Sequence, residues 1–146
     1  MGMVAGIQTR TGTVVKVNPK LLEILLEEEY VPVISSVSTD LQGKGLNINA
    51  DSVAFHLSEE LIPDTLIFIS DIPGILKDGK IIRELSVDEI DTEIESGTIT
   101  GGMIPKVKAA EKAVKAGVGK IVIGEFKRTE DLKLLITGDA GTVIER

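Results

Sequence analysis

The chain has 146 residues, of which 42% are apolar but only 3% aromatic, so its core must be built mainly from Ile, Leu and Val. The net charge of −7 argues against a nucleic-acid or membrane partner, and any bound polyphosphate would need a local positive site or a metal ion. The absence of cysteine and the single histidine exclude a disulfide framework, a thiolate metal site and a multi-histidine zinc site. With no recognisable signal peptide or bilayer-spanning apolar run, the expectation is one cytoplasmic domain over residues 1–146.

The first part of the chain predicts one helix among short strands. Residues 1–6 are predicted to be a chain start or an expression remnant, and residues 7–17 alternate Thr and Val, which indicates a short hairpin. Asn18-Pro19 is a typical helix start, because an N-cap amide is followed by proline at the first helical position. A buried stripe is predicted in this helix, formed by Leu21, Leu22, Leu25 and Leu26.

Two further strand and helix patterns follow. Residues 31–34 predict a short buried strand, residues 38–45 a polar loop, and residues 52–61 a helix with one apolar face. Residues 65–69 form a near-continuous apolar run, which is typical of a strand covered on both faces. A sharp turn over residues 71–74 ends that strand.

The last part of the chain predicts three helices and two strands. Ser86 and Glu89 form a capping-box pattern for a helix that runs through residue 94. Residues 103–116 form the longest helical pattern, residues 120–123 a buried strand, and Thr129 caps a short helix before a closing strand over 141–145. Because strands alternate with helices, the sequence predicts an α/β fold, a mainly parallel sheet sandwiched by helices.

Polar groups suited to phosphate oxygens occur in three places. Ligands of open α/β sheets bind at the C-terminal ends of the strands, and Asp71 directly follows the apolar run over 65–69. The run Asn47-Ile48-Asn49-Ala50-Asp51 supplies two amides and a carboxylate before a helix, and residues 101–106 supply two glycines and a lysine at the start of another. Helix starts bind anions through backbone N–H groups, so these segments predict a phosphate site at one sheet edge.

Each of these residues also has a purely structural interpretation. Asp51 is a preferred N-cap residue, and Asn47 and Asn49 are common in loops. The turn that begins at Asp71 needs no function, and Lys106 by itself would be a solvated lysine. Other nucleotide motifs are missing, since no Gly-x-Gly-x-x-Gly or Walker A sequence occurs.

Three segments, GLNINADSVA, LIFISDIPGIL and GTITGGMIPKVKAA, resemble in order and spacing the C-terminal half of acetylglutamate kinase, from the amino-acid kinase family. The similarity runs from about Thr13 to Val122 and weakens after Gly124. The resemblance implies the carbamate kinase-like fold of that family, with this chain as its ATP-binding half. The glycine-rich N-terminal half of the family, with its own lysine, is expected to have no counterpart here.

The resemblance also implies a reaction, the transfer of the γ-phosphoryl group of MgATP to the side-chain carboxylate of N-acetyl-L-glutamate in arginine biosynthesis. It assigns Lys106 to the transferring phosphoryl group, Asp51 to the orientation of the catalytic lysines, and Asn47 and Asn49 to the acyl-amino-acid substrate. The resemblance therefore implies ATP and Mg²⁺ as cofactors. It implies no metal site formed by protein side chains. The implied ATP pocket is lined by Asp71, Ile72, Pro73, Gly74, Ile75, Leu76, Thr98, Ile99, Thr100, Gly101 and Gly102.

Other functions stay open at this point. Another member of the family would act on an aminoadipate derivative, a carbamate or a phosphate. A non-catalytic module would bind nucleotide for regulation, and a third class is an oligomerisation domain. The expected partners are N-acetyl-L-glutamate and ATP, with either a homo-oligomer or a missing N-terminal half to complete the site.

Overall fold

The computed structural model describes residues 3–4, 7–8 and 10–146, with side chains from residue 10 onwards. The chain separates into two compact units, residues 1–61 and residues 62–146. Most of the predicted chain start over 1–6 lies outside the described residues. No helix within the described ranges is long and apolar enough to cross a membrane.

The first unit contains a three-stranded sheet and two helices. A hairpin of β1 (Met3–Val4) and β2 (Ile7–Gln8) precedes them. The central strand of the sheet is parallel to one neighbour and antiparallel to the other. The elements are β3 (Thr11–Gly12), α1 (Lys20–Glu27), β4 (Val37–Thr39), β5 (Gly45–Ile48) and α2 (Ala50–Leu61), and the strand order is β3-β5-β4.

Helix α1 begins one residue later than predicted, and its predicted burial is wrong. Pro19, not Asn18, is the N-cap residue, although the Asn18 Oδ1 accepts a hydrogen bond from the Lys20 N–H at 3.3 Å. No residue of α1 is buried, and Leu21 is 65% exposed. The amphipathic pattern therefore marks an apolar face correctly, but the described residues provide no surface that covers it.

Three other predictions for this unit are corrected. The hairpin predicted over 7–17 does not form, because β2 pairs with β1 and β3 pairs in parallel with β5. Residues 31–34 form no strand and are largely exposed, and the loop predicted over 38–45 is the tip of a β4–β5 hairpin. Asp40 shapes that tip, since its Oδ1 accepts the N–H groups of Gln42 and Lys44 at 3.0 and 2.9 Å.

The second unit is built on a four-stranded mixed sheet. Its strands are β6 (Thr65–Ser70), β9 (Glu84–Ser86), β10 (Lys120–Glu125) and β11 (Thr142–Glu145), in the order β6-β10-β11-β9, and a small hairpin joins β7 (Leu76–Lys77) to β8 (Lys80–Ile81). The β6–β10 and β9–β11 pairs are parallel, and the β10–β11 pair is antiparallel. The predicted α/β class with mainly parallel pairing is therefore confirmed.

The second unit has three helices, α3 (Ile90–Glu95), α4 (Met103–Ala116) and α5 (Thr129–Thr137). Helices α4 and α5 pack on the sheet, and α3 packs against α4. The bounds of α4 are those predicted. Helix α3 begins directly after Glu89, and the Glu89 carboxylate accepts a hydrogen bond from the Ser86 N–H at 3.0 Å. The predicted cap of α5 is one residue late: Arg128 is the N-cap residue, and the Asp131 carboxylate accepts the N–H of Arg128 at 2.8 Å.

The core of the second unit lies on both faces of β10. Ile121, Val122 and Ile123 are all buried, and successive side chains of a strand point to opposite faces. Val122 clusters with Leu135 of α5 and Val143 of β11. The outer strand β6 is less covered than its apolar run predicts, because it lies at the sheet edge, where Ile69 is 56% exposed.

Candidate nucleotide site

The second unit places Asp71 at the C-terminal end of β6, where sequence analysis expected it. Asp71 is exposed and accepts a hydrogen bond from the Ser70 hydroxyl at 3.2 Å. The neighbouring strand β10 is parallel to β6 and ends beside it, with Glu125 opposite Ser70. This edge of the sheet is the position at which α/β folds bind ligands.

The start of α4 lies beside the same strand. The Lys106 Nζ is 5.2 Å from the centre of the Phe68 ring, which is a cation–π contact with the second half of β6. Phe68 is buried and Lys106 partly buried. The structure therefore places Lys106, from the predicted segment over 101–106, next to β6, the strand that Asp71 follows.

Gly101 and Gly102 leave the approach to α4 open. Both are exposed, and a Cβ atom added at either residue would meet nothing within 4 Å. Gly101 also has a φ of +54°, a conformation that favours glycine. The backbone before a 14-residue helix is thus accessible to an anion, and the helix dipole adds a partial positive charge there.

Two of the predicted pocket residues serve the core instead. Ile75 and Ile99 are buried, and the Ile75 N–H donates a hydrogen bond to the Thr142 Oγ1 at 2.8 Å. Gly74 lets this segment approach β11, because a Cβ there would lie 2.9 Å from the same oxygen. Ile75 and Ile99 therefore anchor their segments and Gly74 is also buried, while the residues that face solvent are Asp71, Pro73, Leu76, Thr100, Gly101 and Gly102.

A salt bridge that sequence analysis does not predict connects the two segments of the expected pocket, residues 71–76 and residues 98–102. The Lys77 Nζ lies 2.5 Å from the Glu93 Oε1, and the Glu93 carbonyl accepts the Ile99 N–H at 2.9 Å. Glu93 therefore ties the β7–β8 hairpin to the loop that leads into α4. The two ionic partners are 16 residues apart with no short-range motif, so the sequence offers no signal for this contact.

The same salt bridge makes this region sensitive to acid. The hydrogen bond from Lys77 lowers the pKa of the Glu93 carboxyl below its ordinary value, with a smaller contribution from Thr98. A carboxyl with a lowered pKa in the folded protein stabilises the fold at neutral pH, and this stabilisation is lost as the pH falls through the folded-state pKa.

A mixed-charge cavity of about 370 Å³ lies near the C-terminal end of β10. Arg83, Lys127 and Arg128 line it together with Glu125 and Asp131. Several of these charges are already engaged: the Lys127 Nζ lies 2.8 Å from the Glu125 Oε1, and the Asp131 carboxylate accepts backbone N–H groups. Sequence analysis missed this cavity because its walls come from distant parts of the chain.

The remaining predicted site residues, Asn47, Asn49 and Asp51, lie in the first unit. Of these, Asn49 is the N-cap residue of α2. Asn47 is exposed on β5, not in a loop as predicted. The Asn49 Oδ1 accepts the Ser52 N–H at 3.0 Å, which is the N-cap contact of α2. Asp51 lies in the first turn of that helix and is partly buried. The structural interpretation of Asp51 as the N-cap is therefore wrong.

This difference between Asn49 and Asp51 predicts different effects on stability. Asn49→Ala should lower the free energy of unfolding by about 1 kcal/mol, because it removes a capping acceptor. Asp51→Asn should lower it by less, since asparagine keeps the size and one oxygen of the side chain while a charge that favours a helix N-terminus is removed. Urea unfolding of both variants checks this, and Asn49→Asp, which keeps an acceptor, is the control. A larger loss for Asp51→Asn than for Asn49→Ala would contradict the assignment of the cap.

The donor chemistry of the second unit suits a nucleotide phosphate chain. It combines a lysine, an open helix N-terminus and two exposed glycines at a sheet edge. No group of three His, Asp or Glu side chains that would hold a metal ion occurs among the described residues. Magnesium would therefore arrive with the phosphates of its nucleotide, which is how this ion is commonly bound.

Comparison with known proteins relates the chain to a protein family. The model of the amino acid kinase family matches residues 3–125. The acetylglutamate kinase of Methanosarcina mazei is 42% identical over 134 residues, which cover 88% of this chain and 46% of that enzyme. The chain thus spans about half the length of the curated relatives it matches.

Solved structures share the fold. N-acetylglutamate synthase from Neisseria gonorrhoeae, solved with coenzyme A and L-arginine, matches with a TM-score of 0.85 and 20% identity over 99% of this chain and 35% of that one. Carbamate kinase from Giardia lamblia bound to AMP-PNP matches with a TM-score of 0.69 and 21% identity, over 92% of this chain and 46% of that one. These structures share the fold, and the family match over residues 3–125 shows that the chain belongs to the amino acid kinase family.

Proposed function

We propose that the chain is the nucleotide-binding half of an acetylglutamate kinase-like phosphotransferase of arginine biosynthesis. The observation that carries the proposal is the position of Lys106 beside Phe68, one helical turn from the open Gly101–Gly102 backbone. The 42% identity to an acetylglutamate kinase supports that acceptor over an aminoadipate derivative, a carbamate or a phosphate. The proposed substrates are MgATP and N-acetyl-L-glutamate.

The second unit would hold the nucleotide. The exposed residues from Asp71 to Leu76 and from Thr98 to Gly102 would line its pocket, and the start of α4 would face the phosphates. Lys106 would neutralise charge that develops on the transferring group. This contribution matters in a chain of net charge −7, because the surroundings otherwise oppose a polyanion.

The first unit would contribute the groups on the acceptor side. Asn47 is exposed at the end of its strand, and Asn49 uses its carbonyl oxygen as the helix cap, which leaves its NH₂ group to donate to a substrate oxygen. Asp51 would act as a positioning residue for the lysines of the site. Its first-turn position leaves the capping contact to Asn49.

The proposed reaction forms one bond and breaks one. A side-chain carboxylate oxygen of N-acetyl-L-glutamate attacks the γ-phosphorus, the bond from that phosphorus to the β,γ-bridging oxygen breaks, and ADP leaves with the electron pair. The product is an acyl phosphate. Magnesium bound to the phosphates supplies charge neutralisation, and the protein supplies position and fixed positive charge.

Turnover distinguishes a catalytic half from a complete enzyme. The chain alone should phosphorylate N-acetyl-L-glutamate slowly or not at all, since the half-length match leaves the rest of the family site outside this sequence. A chimera in which this chain replaces the matching part of the M. mazei enzyme should be active. Acyl phosphate trapped with hydroxylamine measures both rates.

Two results of that assay would contradict the proposal. Turnover by the chain alone in the ordinary kinase range, about 1–100 s⁻¹, would mean that self-association builds a complete site. A folded chimera that binds nucleotide but makes no acyl phosphate would favour a non-catalytic nucleotide-binding module.

A further inference from the structure

The first unit exposes more apolar surface than it buries. Among the described residues, nineteen apolar side chains are buried, and only Ile48 and Phe55 of these belong to residues 1–61. Ten of the seventeen exposed large apolar side chains lie in the same unit. A unit of this size with so small a core is not expected to be stable without a cover.

Four of these ten side chains, Leu21, Val33, Ile34 and Val37, line a groove of about 620 Å³ together with partly buried apolar residues. Leu21, Leu22 and Leu25 of α1 form one wall, and Val33 and Val37 lie on the other. Val33 is 96% exposed, although valine is typical of buried strands. The groove is therefore lined largely by apolar side chains, several of which are exposed.

A free strand edge runs along the same wall. In the described sheet β4 pairs with β5 only, so its other edge presents unpaired backbone groups. The Ser36 carbonyl extends the ladder by accepting the Ile48 N–H at 2.9 Å, and residues 31–34 just before it form no strand. An extended segment laid along this edge would gain backbone hydrogen bonds as well as apolar contacts.

We infer that this groove seats the half of an amino acid kinase chain that the present sequence does not contain. The relative lengths identify the occupant: 88% of this chain corresponds to only 46% of the M. mazei enzyme, so the relatives carry roughly as much chain again outside the match. The occupant must present apolar side chains and a strand edge. The choice of this occupant rests on the proposed function, and a second copy of this chain is the competing occupant.

Single cysteines test the inference, because the chain contains no cysteine of its own. Maleimide labelling of Val33→Cys, localised by mass spectrometry, reports the exposure of the groove. We expect labelling at least tenfold slower in the M. mazei chimera than in the chain alone. The control is Leu134→Cys. Leu134 is an exposed residue of α5 in the second unit, so this cysteine should label equally fast in both proteins.

Two labelling results would overturn the inference. Equal rates for Val33→Cys in both proteins would mean that the groove stays open. Protection in the chain alone that disappears on dilution would assign the groove to a second copy. MgADP binding by the second unit is measured separately, so failure of the docking surface is distinguishable from failure of the nucleotide site.

Co-expression of the same two segments as separate chains covers the case of an insoluble chimera. Co-purification that is lost with Leu21→Glu, but kept with Leu134→Glu, supports the inference. Failure of the wild-type segments to co-purify would overturn it, as would co-purification that Leu21→Glu leaves intact.

Discussion

Lys106→Met in the M. mazei chimera should lower kcat by about a hundredfold, or about 3 kcal/mol of transition-state stabilisation. In the proposed reaction the positive charge of Lys106 would act where negative charge develops during phosphoryl transfer, next to the open start of α4. Methionine keeps an apolar stem against the Phe68 ring, so the loss should be catalytic and not structural. Steady-state rates with hydroxylamine trapping and thermal melting of the same samples separate the two effects.

Lys112→Met is the matched control for this substitution. Lys112 lies on the same helix and is exposed, so its loss should leave kcat and the melting temperature nearly unchanged. Equal kcat values for the two variants would remove Lys106 from the proposed catalytic machinery. A large drop in the melting temperature of Lys106→Met would instead indicate that the cation–π contact is mainly structural.

Ile121→Ala should lower the free energy of unfolding of the chain by about 2–5 kcal/mol. Ile121 is 0% exposed near the start of β10, a strand that lies between the parallel neighbour β6 and the antiparallel neighbour β11. Removing its side chain loses apolar burial and leaves a cavity in a densely packed sheet. Urea denaturation, followed by far-ultraviolet circular dichroism, measures the change.

Ile136→Ala is the matched control, because it is the same isoleucine-to-alanine substitution at an exposed position. Ile136 is 52% exposed on α5, so the same deletion should cost less than about 1 kcal/mol. Similar losses for the two isoleucine variants would contradict the assignment of β10 as the centre of the core. The comparison also tests whether the second unit holds most of the stability of the chain.

Most of the second unit could be predicted from sequence because its local signals agree with its packing. The apolar period of α4, the glycines that end α3 and α4, and the buried strand β10 all lie where they were predicted. Their partners belong to the same compact unit, so the pattern of each element and its environment coincide. The family resemblance is likewise confirmed, and it indicated the segments that meet at β6.

The first unit was harder to predict because its apolar pattern indicates burial, but the described residues provide no surface that buries these side chains. Residues 31–34 have the composition of a buried strand, yet they are exposed and form no strand. A pattern gives the preference of a segment, but a strand also needs a neighbour to pair with. Asn49 is a local example of the same limit, since both Asn49 and Asp51 are good caps and only the start of α2 at Ala50 selects between them.

Specific roles in the candidate site remain predictions for the same physical reason. Sequence places Asp71 after a strand and Lys106 near a helix start, and the structure confirms both positions. The salt bridge between Lys77 and Glu93 had no sequence signal, yet it links the two segments proposed to line the nucleotide pocket. Contacts between residues distant in sequence decide how the site is held together.

Calorimetric titration of the chain with MgADP tests the central claim most directly, because the residues proposed to bind the nucleotide all lie in the second unit. The predicted result is saturable binding at submillimolar to millimolar nucleotide that is weakened about tenfold or more by Lys106→Met and unchanged by Lys112→Met. The absence of heat and of any thermal shift at millimolar MgADP, with a folded chain, would contradict the assignment of this unit as a nucleotide site.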